Sequence, residues 1–306
     1  MGKSTSVGGQ AVLEGVMMRG KKGIATAVRK TNGEIVVNKE DYTPYTKKTF
    51  FFSLPIIRGF VSLIESLVIG IKTLNYSASF FEEQVEESKF DKWVNKVFKD
   101  KADNILIGIT LLISFIISAV SYFFIFPTFI ANFFKKIGIQ STLLLNIIEG
   151  IIRIAIFLLY ILLISNMEDI KRVFQYHGAE HKTIFCYENH IELTPENAIE
   201  FTRFHPRCGT NFLFLVMIVS ILLFSLTGWS NIWQRILYRI ILLPAVSGVT
   251  YEIIKWLGKS NSNFAKIIAY PGLMLQKLTT KEPDLKQLEV AIMALKAAEG
   301  IENSME

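Results

Sequence analysis

The chain has 306 residues, of which 51% are hydrophobic and 20% are charged, and its formal net charge is +6. The hydrophobic fraction is too high for a single soluble domain, and the charged fraction is too high for a chain that lies wholly in a membrane. This composition predicts a protein with both membrane and cytosolic parts. The two cysteines make no framework of disulfides, which favours a reducing compartment.

Much of the excess positive charge lies beside the apolar segments. This distribution favours contact with anionic lipid headgroups over contact with nucleic acid. We therefore expect the lipid bilayer as a partner, and no nucleic acid.

Residues 1–49 are predicted to form a small cytoplasmic β domain. Two runs rich in β-branched residues, 24–29 and 34–37, flank the pair Asn32-Gly33. An Asn-Gly pair in this position favours a tight β-hairpin, because both central residues of the turn need positive φ. A small antiparallel sheet buries little surface alone, so we expect it to pack on the membrane helices.

Residues 104–258 are predicted to form a transmembrane domain of about four helices. Each of four apolar segments is close to or longer than the ~20 residues that cross a bilayer. The segments are 104–134, 143–166, 211–229 and 236–254.

The distribution of Lys and Arg orients these helices. Nearly all Lys and Arg lie in residues 1–103, 168–210 and 255–306, whereas the connections after the first and third spans are short. By the positive-inside rule the three basic blocks are cytoplasmic. We therefore expect a multi-pass protein with both termini in the cytoplasm and with 167–210 as its large cytoplasmic loop.

Residues 50–103 and 259–306 are predicted to lie at the membrane surface. In the helical segment 54–81, Arg58, Glu65 and Lys72 recur every seven residues and form one charged stripe, which favours an interfacial or re-entrant helix. Residues 82–103 are predicted to form an amphipathic surface helix. The tail 259–306 is predicted to hold short interfacial helices broken at Pro271-Gly272, followed by a last helix after 284.

Three ionisable residues fall within the predicted spans. Glu149 and Arg153 are four apart on one helix face and close enough to pair, and Glu252 lies near the cytoplasmic end of the last span. Such residues are functional candidates in a membrane. The alternative is a self-satisfied pair, with Glu252 reaching the interface.

Residues 177–208 contain all four histidines and both cysteines of the chain. His177 and His181 are four apart, so a helix presents both rings from one face, as a zinc pair requires. This helix is expected to continue from the second span, because 164–176 lacks proline and glycine. Glu180 completes the order His-x-x-Glu-His, in which the glutamate is the general base of a family of metallopeptidases.

The second half of this window supplies further metal ligands. His205 and Cys208 lie on a tight turn and can complete a tetrahedral set with the two histidines. Four protein ligands would make a structural site, and three with an open position a catalytic one. In the metal-free alternative, the histidines bond to headgroups or carbonyls and Cys208 is a buried thiol. Cys186 and His190 have poorer geometry and are interpreted as packing and surface residues.

Three sequence motifs resemble the signatures of the YqhQ-type bacterial membrane proteins. They are GGQAVLEGVMMR at 8–19, YHGAEHK at 176–182 and HPRCGT at 205–210, and the similarity continues through 271–283. That family is a domain of unknown function that is labelled a predicted metal-dependent enzyme. The resemblance implies a bacterial cytoplasmic membrane protein with a metal site.

The sequence leaves three functions open. The first is a zinc-dependent hydrolase at the cytoplasmic face, in which His177 and His181 bind metal with His205 or Cys208 and Glu180 activates water for a membrane-associated substrate. The second is a non-enzymatic membrane assembly or scaffold protein in which the same ligands form a structural metal site for an unknown protein partner. The third, a transporter, would use Glu149, Arg153 and Glu252 as a polar path.

Overall fold

The computed structural model describes residues 7–81, 125–228, 231–258, 260 and 262–301. The described chain is mostly helical, with a four-stranded antiparallel sheet near its N-terminus. The predicted amphipathic helix 82–103 and most of the apolar segment 104–134 lie outside the described residues.

The sheet is a meander in which each strand pairs with the next along the chain. The strands are β1 Gly8–Val12, β2 Gly15–Gly20, β3 Gly23–Arg29 and β4 Ile35–Glu40. The predicted hairpin is confirmed, because β3 and β4 are antiparallel and are joined through Asn32-Gly33. The turn differs from the predicted type, since Gly33 has a positive φ of +87° and Asn32 does not, and the connection spans residues 30–34. Glycine takes up this left-handed conformation without steric cost.

A short 3₁₀ turn, Tyr45–Lys47, and ten α-helices complete the described chain. The helices are α1 Phe50–Ser53, α2 Ile57–Ala78, α3 Phe126–Lys136, α4 Thr142–Ile164, α5 Glu168–Glu188, α6 Pro195–Ile199, α7 Gly209–Ser225, α8 Ile232–Leu257, α9 Asn263–Thr279 and α10 Leu285–Glu299.

The sheet packs mainly on α10 and α5, and β1 also contacts α2. Fully buried Met18 and Ala27 of the sheet lie in one core with Leu288, Ala291 and Leu295 of α10. The three α10 residues recur at the spacing of one helix face, and Ala291 permits close approach of the strands. A capping box at Asp284 begins α10, which confirms the last predicted helix.

The chain divides into two compact units. One consists of Met1–Phe81, Phe157–Ser220 and Ile241–Glu306, and it contains the sheet, α5, α9 and α10. The other consists of Glu82–Ile156 and Ile221–Ile240. The candidate metal centre lies entirely in the first unit, and Glu149 lies in the second.

Two described helices are long and apolar enough to cross a membrane. They are Thr142–Ile164, with mean hydropathy 2.6, and Trp233–Leu257, with mean hydropathy 1.5. They correspond to the second and fourth predicted spans. The third predicted span is the shorter apolar helix Gly209–Ser225.

Two helix boundaries differ from the sequence prediction. The helix does not continue from 164 into 176, because α4 ends at Ile164 and α5 begins at Glu168. Ser165 Oγ and Asn166 Nδ2 both donate to the carbonyl of Leu162 and so replace helical backbone bonds. Conversely, α9 passes through Pro271 without a break.

Candidate metal centre

Helix α5 presents His177 and His181 together, as their spacing predicts. Their ring centroids are 4.5 Å apart. His181 is almost fully buried, and His177 is partly buried. Gly178, between them, allows the chain to pass close by, because a Cβ there would overlap the carbonyl oxygen of Lys281. The helix therefore brings two imidazoles and a neighbouring backbone segment into one small volume.

Backbone hydrogen bonds orient both rings. His177 Nδ1 lies 2.8 Å from the carbonyl oxygen of Thr279, and His181 Nδ1 lies 2.5 Å from that of Arg203. A carbonyl only accepts hydrogen bonds, so each Nδ1 carries a hydrogen, and the tautomer with this hydrogen alone has its lone pair on Nε2. This hydrogen bond through the second ring nitrogen is the arrangement found for histidines that bind metals.

Cys208 faces the free nitrogens of both rings. Its Sγ lies 3.1 Å from His177 Nε2. Burial alone would raise the pKa of the Cys208 thiol, but its proximity to the His181 ring and its contacts with Thr210 hold this pKa below its ordinary value. A thiol with a lowered pKa reaches the thiolate form that binds metals more readily.

The three ligand atoms fit a transition metal. His177, His181 and Cys208 each offer one ligand atom, and these atoms lie within 4.8 Å of one another. Zinc bonds of about 2.0–2.3 Å in a tetrahedron place ligand atoms about 3.3–3.8 Å apart, and the 3.1 Å between His177 Nε2 and Cys208 Sγ is close to this range. His181 Nε2 is buried and has no hydrogen-bond partner. A bound metal would satisfy this nitrogen, so the donor set suits zinc.

His205 lies beside this cluster but is not among its three members. Its ring centroid is 5.5 Å from that of His181. His205 Nδ1 accepts from the backbone N–H of Arg207 at 3.3 Å, and Nε2 faces Glu188 at 3.8 Å. Burial lowers the pKa of His205 below its ordinary value, while Glu188 acts in the opposite direction. The described cluster therefore offers three possible ligand atoms, with His205 as a neighbour.

Glu180 is buried next to the cluster without joining it. Burial raises the pKa of its carboxyl to about 8, while His177 and the backbone N–H of Gly9 act in the opposite direction. Its Oε2 has no hydrogen-bond partner. A carboxyl with a pKa near neutrality is suited to accept and donate protons, which is the role that the sequence motif predicts for Glu180.

Gln276 fixes the turn that carries His205 and Cys208. It is fully buried on α9, accepts from the backbone N–H of His205 at 2.7 Å and donates to the carbonyl of the same residue at 2.8 Å. Its Nε2 also lies 3.2 Å from Asn211 Oδ1, and Asn211 in turn donates to the carbonyl of Pro206. The end of α9 thus holds both Cys208 and, through Thr279, His177.

Lys182 fixes the loop that orients His181. The side chain is buried and its Nζ donates to the carbonyls of Ile199 and Phe201 at 2.7 and 2.6 Å. It also forms an ion pair of 3.0 Å with Glu282. These bonds hold the segment whose Arg203 carbonyl accepts from His181.

A cavity of about 500 Å³ adjoins the cluster. Its wall includes His177, Glu180, His181 and Cys208, together with residues of β1, β2, α2 and α7. This volume lies within the range of roughly 300–1,000 Å³ that is usual for small-ligand sites. A fourth coordination position on the metal would therefore have room for a substrate.

Sequence reasoning missed Gln276, Lys182 and Gly9 as parts of the site. A Cβ on Gly9 would lie 2.6 Å from the Met17 carbonyl and 3.0 Å from Glu180 Cδ, so only glycine lets β1 approach the glutamate. The signal for Gly9 was present in the motif at 8–19. Nothing in the local sequence marked Gln276.

Glu149, Arg153 and Glu252, which fall within the predicted spans, form ion pairs with other side chains. The predicted pair of Glu149 and Arg153 is confirmed at 3.1 Å, and Arg235, Arg239 and Thr128 also bond to Glu149. In the other unit, Glu252 binds Arg58 through both carboxylate oxygens. All the ion-pair partners of Glu149 named here are buried arginines.

Comparisons with known proteins identify relatives of unknown function. A family profile described as "Protein of unknown function (DUF1385)" matches residues 54–300. The chain is 36% identical over 286 residues to "Uncharacterized protein YqhQ" of Bacillus subtilis (strain 168), covering 93% of this chain and 89% of that protein. No solved structure matches the chain.

Proposed function

The chain belongs to the DUF1385 family of proteins of unknown function, and we propose that it is a zinc-dependent hydrolase of the bacterial cytoplasmic membrane. The observation that carries the proposal is the set of three convergent ligands, two of them oriented by backbone carbonyls, beside a cavity. Three protein ligands leave a coordination position open, which is typical of catalytic zinc.

The residues around the cluster have separate roles in this proposal. His177, His181 and Cys208 would hold the metal, and zinc bound there would supply Lewis-acid chemistry, polarising a substrate oxygen and acidifying water. Glu180 would accept the proton of the attacking water at Oε2 and return it to the leaving group. The buried position and raised pKa of Glu180 support this role.

The membrane topology is also part of the proposal. We place the cluster at the cytoplasmic face of a multi-pass protein with both termini inside, where it meets a membrane-associated substrate. Two helices with the length and hydropathy of membrane spans support this placement, as does the basic character of the blocks that flank them. A fluorescent protein fused after 306 should then be bright, and alkaline phosphatase fused there should be inactive.

Metal analysis of the purified full-length chain tests the first step. We expect about one zinc per chain by elemental mass spectrometry, lost in His181→Ala and Cys208→Ser. His190→Asn and Cys186→Ser are matched controls outside the cluster and should retain the metal. Asparagine is chosen because His190 has φ +57°, which asparagine tolerates. A protein that folds without stoichiometric metal would refute the proposal.

Glu180→Gln separates the hydrolase from the scaffold alternative. The variant should keep its zinc and its thermal stability but lose turnover of a bacterial lipid extract, followed by mass spectrometry of the products. One observation supports the scaffold alternative. The ligands and their hydrogen-bond acceptors come from three segments that are distant in the chain, namely α5, the turn that precedes α7, and the end of α9. A bound metal would therefore hold these segments together. In that case wild type and variant would give identical product profiles.

A further inference from the structure

The cavity wall includes the guanidinium of Arg19, which contacts Tyr42 and forms no ion pair with a carboxylate of the described residues. Strand alternation places Met17 and Arg19 of β2 on the cavity side, while Met18 is in the opposite core. Arg19 Nη1 donates to the Tyr42 hydroxyl at 3.3 Å, and its guanidinium lies 5.6 Å from the centroid of the Tyr42 ring. Within the described ranges, Arg19 has no ion pair with Asp or Glu, and it reaches Glu65 only through Tyr42.

The second guanidinium at the cavity is already neutralised. Arg207 forms an ion pair with Glu188, which also faces His205. The positive charge that Arg19 adds to the cavity is therefore not balanced by its neighbours. Guanidinium groups match phosphate oxygens in geometry and charge, so an anionic group of this kind is the ligand that Arg19 would recognise.

Helix α2 forms one wall of the same cavity and has an apolar outer face. Ser66 and Ile69 line the cavity, whereas Leu67, Val68 and Ile71 are 51%, 61% and 55% exposed. This orientation is opposite to that of a surface helix of a soluble protein, in which the apolar face packs against the protein core.

The charged residues of α2 are turned to protein partners. Arg58 binds Glu252, Glu65 accepts from the backbone N–H of Tyr45 at 2.9 Å, and Lys72 binds Glu40. The outward face is thus left to apolar side chains, which suit the acyl chains of a bilayer. A single helix separates that surface from the cavity and the cluster.

We propose that the cavity binds an amphiphile with a net negative phosphate headgroup, with its phosphate on Arg19 and its acyl part along α2. The anionic headgroups of a bilayer surface offer this chemistry, and inorganic phosphate offers the charge without the chain. The inference rests on the proposed function, because it names the substrate class of the hydrolase. Arg19 is the residue that selects the anion, and the three-residue cluster lies on the wall of the same cavity.

Binding to the zinc-loaded, full-length protein in neutral phosphatidylcholine nanodiscs tests this inference. The probes are dihexanoylphosphatidic acid, dihexanoylphosphatidylcholine and inorganic phosphate. Isothermal titration calorimetry measures the affinity of the protein for each of them. We expect saturable binding of the phosphatidic acid and much weaker binding of the other two. Arg19→Gln should weaken this binding about tenfold or more, the loss expected for one charged hydrogen-bonding group, and Arg19→Lys should recover part of it.

The controls separate this inference from the proposed function. Lys39→Gln removes one positive charge from an exposed position on the same sheet and should bind like wild type. Equal binding by wild type and Arg19→Gln would overturn the inference, as would inorganic phosphate binding as tightly as the lipid. Zinc stoichiometry is measured on every sample. A protein that keeps its zinc but does not bind the phosphatidic acid would refute this inference and leave the proposed function standing.

Discussion

The imidazole of His177 and the carbonyl of Thr279 are 102 positions apart in the chain and joined by a hydrogen bond of 2.8 Å. This bond connects α5 to the end of α9 and fixes which nitrogen of His177 faces Cys208. The orientation of this candidate ligand is thus set by a residue near the C-terminal end of α9. Substitutions that shift the segment after α9 should change metal affinity without touching a ligand.

Gly178→Ala tests this dependence. The added Cβ would overlap the Lys281 carbonyl, where the Lys281 N–H also donates to Phe174 at 2.8 Å. We expect a loss of roughly 1–3 kcal/mol in the free energy of unfolding, as for other overpacked sites, and zinc affinity lower by about 10–100-fold. Competition with a zinc-binding dye measures the affinity. Gly209→Ala, where a Cβ meets open space, should match wild type in both.

Lys182→Met should loosen the loop that orients His181. The substitution leaves the carbonyls of Ile199 and Phe201 without their donor, at a cost of roughly 1–3 kcal/mol for each buried group. Because Arg203 lies in the same loop, zinc should be retained with weaker affinity, whereas His181→Ala removes it. Thermal unfolding and dye competition measure both effects. Lys171→Met, at an exposed position on the same helix, is the control, and equal destabilisation of the two variants would contradict this role for Lys182.

Gly9→Ala should disturb Glu180 while leaving the metal ligands in place. The new Cβ would lie 2.6 Å from the Met17 carbonyl and 3.0 Å from Glu180 Cδ, so the strand or the glutamate must move. We expect zinc content near that of wild type and reduced turnover of the lipid extract. Gly8→Ala, where nothing lies within 4 Å, should be active, and an active Gly9→Ala would contradict the dependence of Glu180 on the close approach of β1.

Local patterns were sufficient to predict several of these elements. The Asn32-Gly33 hairpin, the i,i+4 pair His177 and His181, and the Asp284 cap each depend on a few neighbouring residues and the geometry of one strand pair or helix. The family was also recognisable from its motifs. In each case the interaction that matters lies within the segment that encodes it.

Other features depend on contacts between distant segments and were not predictable. His205 has the chemistry of a ligand, yet Glu188 and the Arg207 backbone face its ring instead. Pro271 would be expected to end a helix, but α9 continues through it while Gly272 packs against Asn211. The acceptors of both ligand histidines are backbone carbonyls, which carry no signal in the residue type.

The pH dependence of stability should include a contribution from Glu299 at the end of α10. Burial would raise the pKa of this carboxyl, but hydrogen bonds from the Tyr187 hydroxyl at 2.7 Å and from Lys21 outweigh it and lower the pKa below its ordinary value of 4.5. A carboxyl with a lowered folded-state pKa stabilises the fold above its unfolded pKa. The contribution is lost as the pH falls through the folded-state value.

Glu299→Gln removes this titration and should therefore flatten the fall of the unfolding midpoint below about pH 4.5. Glu289→Gln, on the same helix but half exposed, should keep the wild-type slope, and parallel curves for wild type and Glu299→Gln would contradict the assignment.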